Sequence, residues 1–319
     1  MTMSVVSTIG LTKYYKDLCA VNDVNLDVES EIFGLLGPNG AGKSTIVKML
    51  TTLVRPSKGE AYVCGYNIVK DPVRVRESIS YVPQEMALDI KLTGRENVML
   101  YAQLYHIPNK KDKVDEVLAL MELTERANEL VKGYSGGMRR RLELAQALVH
   151  EPKVLFLDEP TLGLDVAARK KIWEHIYSLK EKGMTIFMTT HYMDEADRYC
   201  DRVAIIDKGK IVAIDSPEKL KSDICGDIVI ASVSGEFKGI NLEGVRLMNV
   251  AEHEIRFMAD NGEEALPLIS RELSRQGLEV HSLVVRDSTL DDVFLQKVTM
   301  QEENASFDAT KYRLMLRRR

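Results

Sequence analysis

The residues with the most specific chemistry are Gly37-Pro38-Asn39-Gly40-Ala41-Gly42-Lys43-Ser44, which carry the spacing G-x-x-x-x-G-K-[ST]. They follow the apolar run Ile32 to Leu36 and lead into residues 46 to 54, whose apolar positions recur at helical spacing. A strand, a glycine-rich loop and a helix in that order make a cradle for phosphate. The glycines let the backbone wrap closely, so successive N–H groups converge on an anion. The helix beginning near Gly42 adds the positive end of its dipole. Lys43 would reach the β- and γ-phosphates and Ser44 would ligate Mg²⁺. Thr45 offers a further hydroxyl to the α-phosphate. The competing reading is a glycine-rich turn with a chance lysine, and the flanking strand and helix weigh against it.

A phosphate cradle alone binds nucleotide without acting on it. Val154-Leu155-Phe156-Leu157-Asp158-Glu159 supplies the missing carboxylates. Four apolar residues read as a fully buried strand, and its C-terminal end delivers two adjacent acids to the phosphate side. Asp158 would hold Mg²⁺ through water, and Glu159 would orient and polarise the attacking water. Capping of the turn before Pro160 is the plainer alternative, and the upstream phosphate loop disfavours it.

These groups need a scaffold that brings distant segments together. Ala20 to Val28 alternates apolar and polar residues, as a half-buried strand does. Leu92 to Leu130 reads as helical in two segments separated at Pro108. A further helix places Met138, Leu142, Ala145 and Val149 on one face, and another carries Ile172, Ile176 and Leu179. Ile186 to Met188 reads as a second buried strand. Strands alternating with helices imply a largely parallel α/β sheet with right-handed crossovers. Val203 to Ile206 and Ile211 to Ile214 flank a hairpin at Asp207 to Lys210.

The pattern changes after Ser216-Pro217. Strands are expected at 227–233, 245–250, 254–260 and 279–286, with an amphipathic helix at 263–276. Ser288 and Thr289 precede Asp291 and Asp292 at capping-box spacing, so a last helix is expected there. This is a small α+β domain. From about Gln301 the chain is polar and ends Arg317-Arg318-Arg319, which reads as a mobile tail.

Composition narrows the function classes. The chain has 319 residues, 45% hydrophobic and 29% charged, with a formal charge of −5. That balance is ordinary for a globular protein and argues against sequence-blind nucleic-acid binding, which needs a basic surface. No stretch approaches the roughly 20 apolar residues of a membrane helix, and Met1 to Leu11 lacks the pattern of a secretory signal. The four cysteines, Cys19, Cys64, Cys200 and Cys225, form no CxxC pair, so free thiols are expected and not a zinc site or disulfide framework.

Further motifs complete the set. Tyr134-Ser135-Gly136-Gly137-Met138 precedes Arg139-Arg140-Arg141-Leu142, shortly before the carboxylate strand. Asp158-Glu159 continues as Pro160-Thr161-Leu162-Gly163-Leu164-Asp165; Thr189-Thr190-His191 lies downstream and Tyr81-Val82-Pro83-Gln84 upstream. In order, these resemble the signature, Walker B and D-loop, H-loop and Q-loop of ABC ATPases, over residues 1 to about 220. The resemblance implies an α/β P-loop NTPase ABC cassette in residues 1–220. Such a cassette has a RecA-like parallel sheet core, an antiparallel β subdomain and an α-helical subdomain at about 85–145. A C-terminal accessory α+β domain at 225–300 would follow it, then the tail at 301–319.

The same resemblance assigns roles, with ATP and Mg²⁺ as cofactors. Gln84 would touch Mg²⁺ or the water and report nucleotide state to the helical segment. His191 would hold the γ-phosphate and water geometry. Tyr15 stands where an aromatic residue stacks on adenine, with Tyr14 its rival. Ser135, Gly136 and Gly137 would face the ATP of a second subunit, across an interface that Asp165 also crosses. Read in isolation, Ser135 is an ordinary helix N-cap. Arg139 to Arg141 read as a solvated face or partners of carboxylates.

Some residues depart from the family pattern. Tyr134 and Met138 replace the usual Leu and Gln of the signature, and Ser30 or a one-residue deletion replaces a glycine before the strand leading into the phosphate loop. Neither removes Glu159 or His191, so a hydrolytic site is expected. Ser135 to Arg141, His191 to Ala196 and Leu290-Asp291-Asp292-Val293-Phe294 are most similar to ATPase subunits of the daunorubicin-resistance type of multidrug exporter. That similarity implies a homodimer closing on ATP, on the cytoplasmic face of the membrane, against a separate membrane-spanning permease. The cargo, drug or lipid among others, stays open. A soluble ABC ATPase acting on ribosomes or DNA is the alternative, disfavoured by the single cassette and negative charge. A kinase or GTPase would leave the signature and His191 without a role.

Overall fold

The computed structural model describes residues 4–223, 226–235, 237–251 and 253–297. The chain divides into two compact units, with the division between Ile211 and Val212. The predicted tail at 301–319 and Cys225 lie outside the described residues.

The first unit opens with β1 (Val6–Tyr15) and β2 (Leu18–Val28), an antiparallel pair. Val24, Leu26 and Val28 of β2 are buried, as its alternating pattern predicts; Val21 is buried as well, three residues before Val24, because a bulge at Asp23, φ 54°, breaks the alternation. Then come β3 (Ile32–Leu36), α1 (Lys43–Leu50), β4 (Lys58–Val63), β5 (Tyr66–Asn67), α2 (Pro72–Ser78) and β6 (Ile79–Val82). The helical segment is α3 (Gly94–Leu104) and α4 (Lys110–Leu120), followed by α5 (Gly136–Leu148). The unit continues through β7 (Val154–Asp158), α6 (Val166–Glu181), β8 (Thr185–Thr190), α7 (Met193–Tyr199) and β9 (Arg202–Asp207), and the division falls within β10 (Lys210–Asp215).

Two sheets result. One is β2-β1-β4-β5, antiparallel; the other is β10-β9-β3-β8-β7-β6, in which β6, β7, β8, β3 and β9 run parallel. Every residue of β3, β7 and β8 is buried, because helices cover both faces of a parallel sheet. The β9–β10 turn has Lys208 and Gly209 at positive φ, 46° and 80°, the type I′ geometry of a tight hairpin.

The helix after the phosphate loop is shorter than its pattern suggests. It ends at Leu50, Thr52 turns to φ 64°, and Leu53 is exposed. The apolar periodicity through residue 54 continued past the point where the backbone leaves the helix. Elsewhere α3 begins at a capping box, Thr93 with Glu96, and packs on α4 and α5.

The second unit contains α8 (Pro217–Ser222), β11 (Asp227–Ser234), β12 (Val245–Val250), β13 (Glu254–Ala259), α9 (Gly262–Arg275) and β14 (Glu279–Arg286). Its sheet has the order β12-β13-β11-β14, with all pairs antiparallel. Ala265, Ile269 and Leu273 of α9 pack on Val229, Ala231 and Phe257. Residues 290–297 are helical, and the Thr289 N–H donates to Asp292 Oδ2 at 2.9 Å, as the capping spacing predicts. Asp292 is fully buried and takes two hydrogen bonds from Arg286, at 2.6 and 3.0 Å.

Candidate active site

The site lies at the C-terminal edge of the parallel sheet, because the strand register ends there together. Leu36 of β3 pairs with Thr190 of β8, and Thr189 pairs with Asp158 of β7. The chain therefore releases Gly37, Glu159 and His191 on one edge.

The loop from Gly37 to Gly42 turns on Gly42, whose φ of 107° suits glycine; a Cβ there would sit 2.5 Å from the carbonyl of Ala20. The turn aims the N-terminus of α1 at the cleft. Lys43 is buried, and its ammonium donates to the carbonyls of Gly37 at 2.6 Å and Pro38 at 3.1 Å. It also lies 3.7 Å from Glu159 Oε1. Burial pulls the Lys43 pKa below its ordinary value, and the nearby Glu159 and Asp158 carboxylates only partly oppose this. An anion arriving in the loop would satisfy this charge better than neutral carbonyls do.

A cleft of about 480 Å³ opens here, lined among others by Tyr15, Asn39, Lys43, Ser44, Gln84 and Glu159. Pro38, Gly40, Gly42 and Thr45 complete the loop's share of its wall. Tyr15 is on that wall. Tyr14 is not; its ring lies against the Lys58 ammonium, 5.9 Å from the ring centre, and its backbone N–H donates to the Ser57 hydroxyl. A larger cavity of about 720 Å³ opens near Lys153 and Thr185, at the opposite ends of the strands, and none of the motif residues lines it.

Asp158 is almost fully buried and collects three hydroxyls. Ser44 Oγ donates to Oδ1 at 3.2 Å, Tyr81 Oη to Oδ2 at 3.4 Å, and Thr189 Oγ1 to Oδ1. Burial and the facing carboxylate push the Tyr81 hydroxyl well above its ordinary pKa, so it stays protonated and donates. A carboxylate beside a serine hydroxyl at the mouth of a phosphate loop is the donor set of a hard divalent cation, and it fits Mg²⁺.

Glu159 has φ 52°, a left-handed conformation that costs a non-glycine residue about 1–3 kcal/mol. Its N–H is held by the Thr189 carbonyl at 3.1 Å and hydroxyl at 3.2 Å. Its buried Oε2 lies 2.5 Å from His191 Nδ1, but neither atom makes an aligned hydrogen bond. The H-loop histidine thus sits directly against the carboxylate at the phosphate edge of the sheet.

Ser135, Gly136, Gly137 and Asp165 do not line this cleft. Ser135 and Asp165 cap α5 and α6, accepting from the N–H groups of Met138 at 3.2 Å and Ala168 at 2.8 Å. A Cβ on Gly137 would sit 2.8 Å from that of Ala168, so the glycine permits the close approach of α5 and α6. Signature and D-loop thus form one face of their own. Tyr134, in place of the family's leucine, is buried and donates to the Arg126 carbonyl at 2.7 Å.

The three arginines divide. Arg139 and Arg141 cap backbone carbonyls, Lys132 for the first and Met121 for the second, and both stay partly exposed. For Arg140 the carboxylate alternative holds and the solvated face does not: it is buried and pairs with Glu143 at 2.9 Å. Thr189 and Tyr81 also bind Asp158 without having been singled out. They stand inside the H-loop and Q-loop motifs, the one signal that could have marked them.

Residues 21–162 match the family described as ABC transporter, and residues 216–298 match the DrrA1-3-like ATP-binding protein C-terminal domain. The chain is 37% identical to daunorubicin resistance ATP-binding protein DrrA3 of Streptomyces coeruleorubidus, over 92% of this chain and 96% of that one. It is 36% identical to linearmycin resistance ATP-binding protein LnrL of Bacillus subtilis (strain 168), over 90% and 96%. A solved dimeric ATP-binding cassette in a post-hydrolysis state, bound to ADP and Pi, superposes with a TM-score of 0.61 at 28% identity. That match covers 66% of this chain and 98% of the other.

Proposed function

The chain belongs to the ATP-binding subunits of ABC transporters, in the daunorubicin-resistance group, and from that membership and the cleft we propose a residue-level account of how it powers an exporter. It is an ATPase that couples ATP hydrolysis to transport. The observation that carries the account is the convergence of Lys43, Ser44, Asp158, Glu159 and Gln84 around one edge of the parallel sheet.

The phosphate loop, residues 37–45, binds the triphosphate through its N–H groups, and Lys43 exchanges its carbonyl partners for phosphate oxygens. Tyr15 stacks on adenine. Ser44 and Asp158 hold Mg²⁺, with Gln84 approaching the metal or the water. When bound, the metal neutralises charge on the phosphates. Glu159 orients the attacking water and His191 fixes the γ-phosphate side. Ser135, Gly136, Gly137 and Asp165 meet the ATP of a second copy, a reading supported by their absence from the wall of the cleft of their own chain. ATP then joins two cassettes and hydrolysis releases them.

No helix among the described residues is long and apolar enough to cross a membrane. As an ATP-binding subunit of a transporter, the chain works with a membrane permease that carries the transport path, and it sits against the cytoplasmic face of the membrane through that partner. A cleft of about 230 Å³ beside Gln84, walled by Tyr81, Pro83, Tyr101 and Tyr105, is the docking surface we assign to it. Met86, Ile90, Leu100 and Leu104 are exposed on the adjoining segment, which favours an apolar partner. Residues 1–220 serve as the nucleotide-binding domain and 225–300 as an accessory domain. Relatives carry names for resistance to daunorubicin and to linearmycin, which favours a drug or lipid as the cargo class.

The test is purification of the tagged chain from detergent-solubilised membranes of its source cell, with ATPase assay of the complex. A stoichiometric polytopic membrane protein, and turnover lost in Glu159→Gln, are expected. Ribosomal or DNA-bound partners without a membrane protein would overturn the transport reading.

A further inference from the structure

Arg140 lies on α5, five residues after the signature serine, and has no role in the account above. Its guanidinium makes four contacts inside the protein. Nε donates to the Pro160 carbonyl at 3.0 Å and Nη2 to the Asp158 carbonyl at 3.1 Å. Nη1 donates to the Pro83 carbonyl at 2.8 Å and to Glu143 Oε2 at 2.9 Å. Two of these carbonyls flank Glu159, and the third immediately precedes Gln84. Glu143, nearly one turn on, uses its other oxygen to accept the Ala87 N–H at 2.9 Å. One ion pair thus holds both ends of the segment that follows Gln84 and both sides of Glu159.

The arrangement has a specific physical consequence. Glu159 stands at φ 52°, so its carboxylate points where the flanking peptide planes send it. Thr189 fixes the N–H of Glu159, and Arg140 fixes the carbonyls before and after it. A planar guanidinium can meet several carbonyls at set angles, which a single ammonium cannot. Because α5 begins at Ser135-Gly136-Gly137, a shift of that helix would move the Glu159 backbone and the Q-loop together.

We infer that Arg140 is a positioning residue for hydrolysis, tying the signature helix to the water-orienting carboxylate and to Gln84 of the same chain. The inference rests on the reading of Glu159 as the water-orienting group. Arg140 touches neither the cleft nor the Glu159 carboxylate, so its loss acts on turnover and leaves nucleotide binding in place.

The experiment compares the full chain with Arg140→Met, Arg140→Lys and Glu159→Gln. Steady-state kcat and KM for Mg-ATP are measured, and affinity for a fluorescent ATP analogue is measured separately. For Arg140→Met, kcat is expected to fall at least tenfold while KM and affinity stay within twofold. Arg140→Lys, which keeps the charge but loses the fork, is expected to fall between Arg140→Met and the parent. If Arg140→Met does not fold, Arg140→Lys carries the same comparison with a threefold or greater loss in kcat. An unchanged kcat, or kcat and affinity falling in parallel, overturns the inference. Full turnover in Glu159→Gln would overturn the underlying reading instead, so the two failures are distinct.

Discussion

Replacing Lys43 by methionine separates what this side chain does for ATP from what it does for the fold. The ammonium is buried against two carbonyls and Glu159, and burial pulls its pKa down. The folded protein therefore disfavours the charge, and removing it relieves a desolvation cost while losing two hydrogen bonds and the counter-charge of Glu159. The two effects offset, so the ligand-free Tm of Lys43→Met is expected within about 3 °C of the parent, where 1 kcal/mol moves a domain of this size about 2–4 °C. Phosphate binding behaves differently. A unit charge pair at about 4 Å is worth about 4 kcal/mol at an effective dielectric of about 20. Losing it weakens affinity about 10³-fold. At ATP one hundred times the parent's Kd, the parent gains about 2.7 kcal/mol, or about 5–10 °C. At the same concentration the variant gains about 0.06 kcal/mol, which thermal denaturation cannot detect. Differential scanning fluorimetry with and without ATP reads both quantities. An ATP-induced rise of parental size would refute the placement of phosphate at Lys43. A ligand-free loss above about 10 °C would refute the balance between burial and hydrogen bonding.

Three further outcomes follow from named contacts. Tyr15→Ala should raise KM for ATP about 5- to 150-fold, the worth of base stacking at about 1–3 kcal/mol, and Tyr14→Ala should not; equal effects would remove adenine from Tyr15. Ser135→Arg should abolish ATP-driven dimerisation in size-exclusion chromatography and leave ATP binding to the monomer intact, with about 1 kcal/mol lost from the helix cap; undiminished dimerisation would refute the composite site. Burial raises the Asp292 pKa, but Arg286 and the Thr289 N–H and hydroxyl outweigh it and hold the carboxyl below its ordinary value. Its stabilisation is therefore complete above about pH 4 and lost as pH falls through the lower folded value. Asp292→Ala should cost about 3 kcal/mol near neutral pH and flatten the acid limb of the denaturation profile; a parental acid limb in the variant would refute the assignment.

The sequence determined the motifs and their flanking elements, because each is encoded within a few residues. Gly37 to Ser44 between an apolar strand and a helix, and Asp158-Glu159 at the end of Val154 to Leu157, need only local spacing to be read. Val154 to Leu157 and Ile186 to Met188 were legible as buried strands and Ile32 to Leu36 as a compact apolar run, while the buried threonines that complete β8 were not; Thr289 with Asp292 was legible as a cap. The tertiary structure decided what depends on register and packing between distant segments. It set Thr189 opposite Asp158, so that one hydroxyl serves both acidic residues, and it gave Tyr15 but not Tyr14 a place in the cleft. It also decided between the two readings of the three consecutive arginines at Arg140, turning it inward onto Glu143 and onto three backbone carbonyls. The partners of Arg140 lie 18, 20 and 57 residues away in sequence, at Asp158, Pro160 and Pro83. A run of like charges carries no record of such carbonyls, because backbone acceptors have no sequence signature until the chain folds around them.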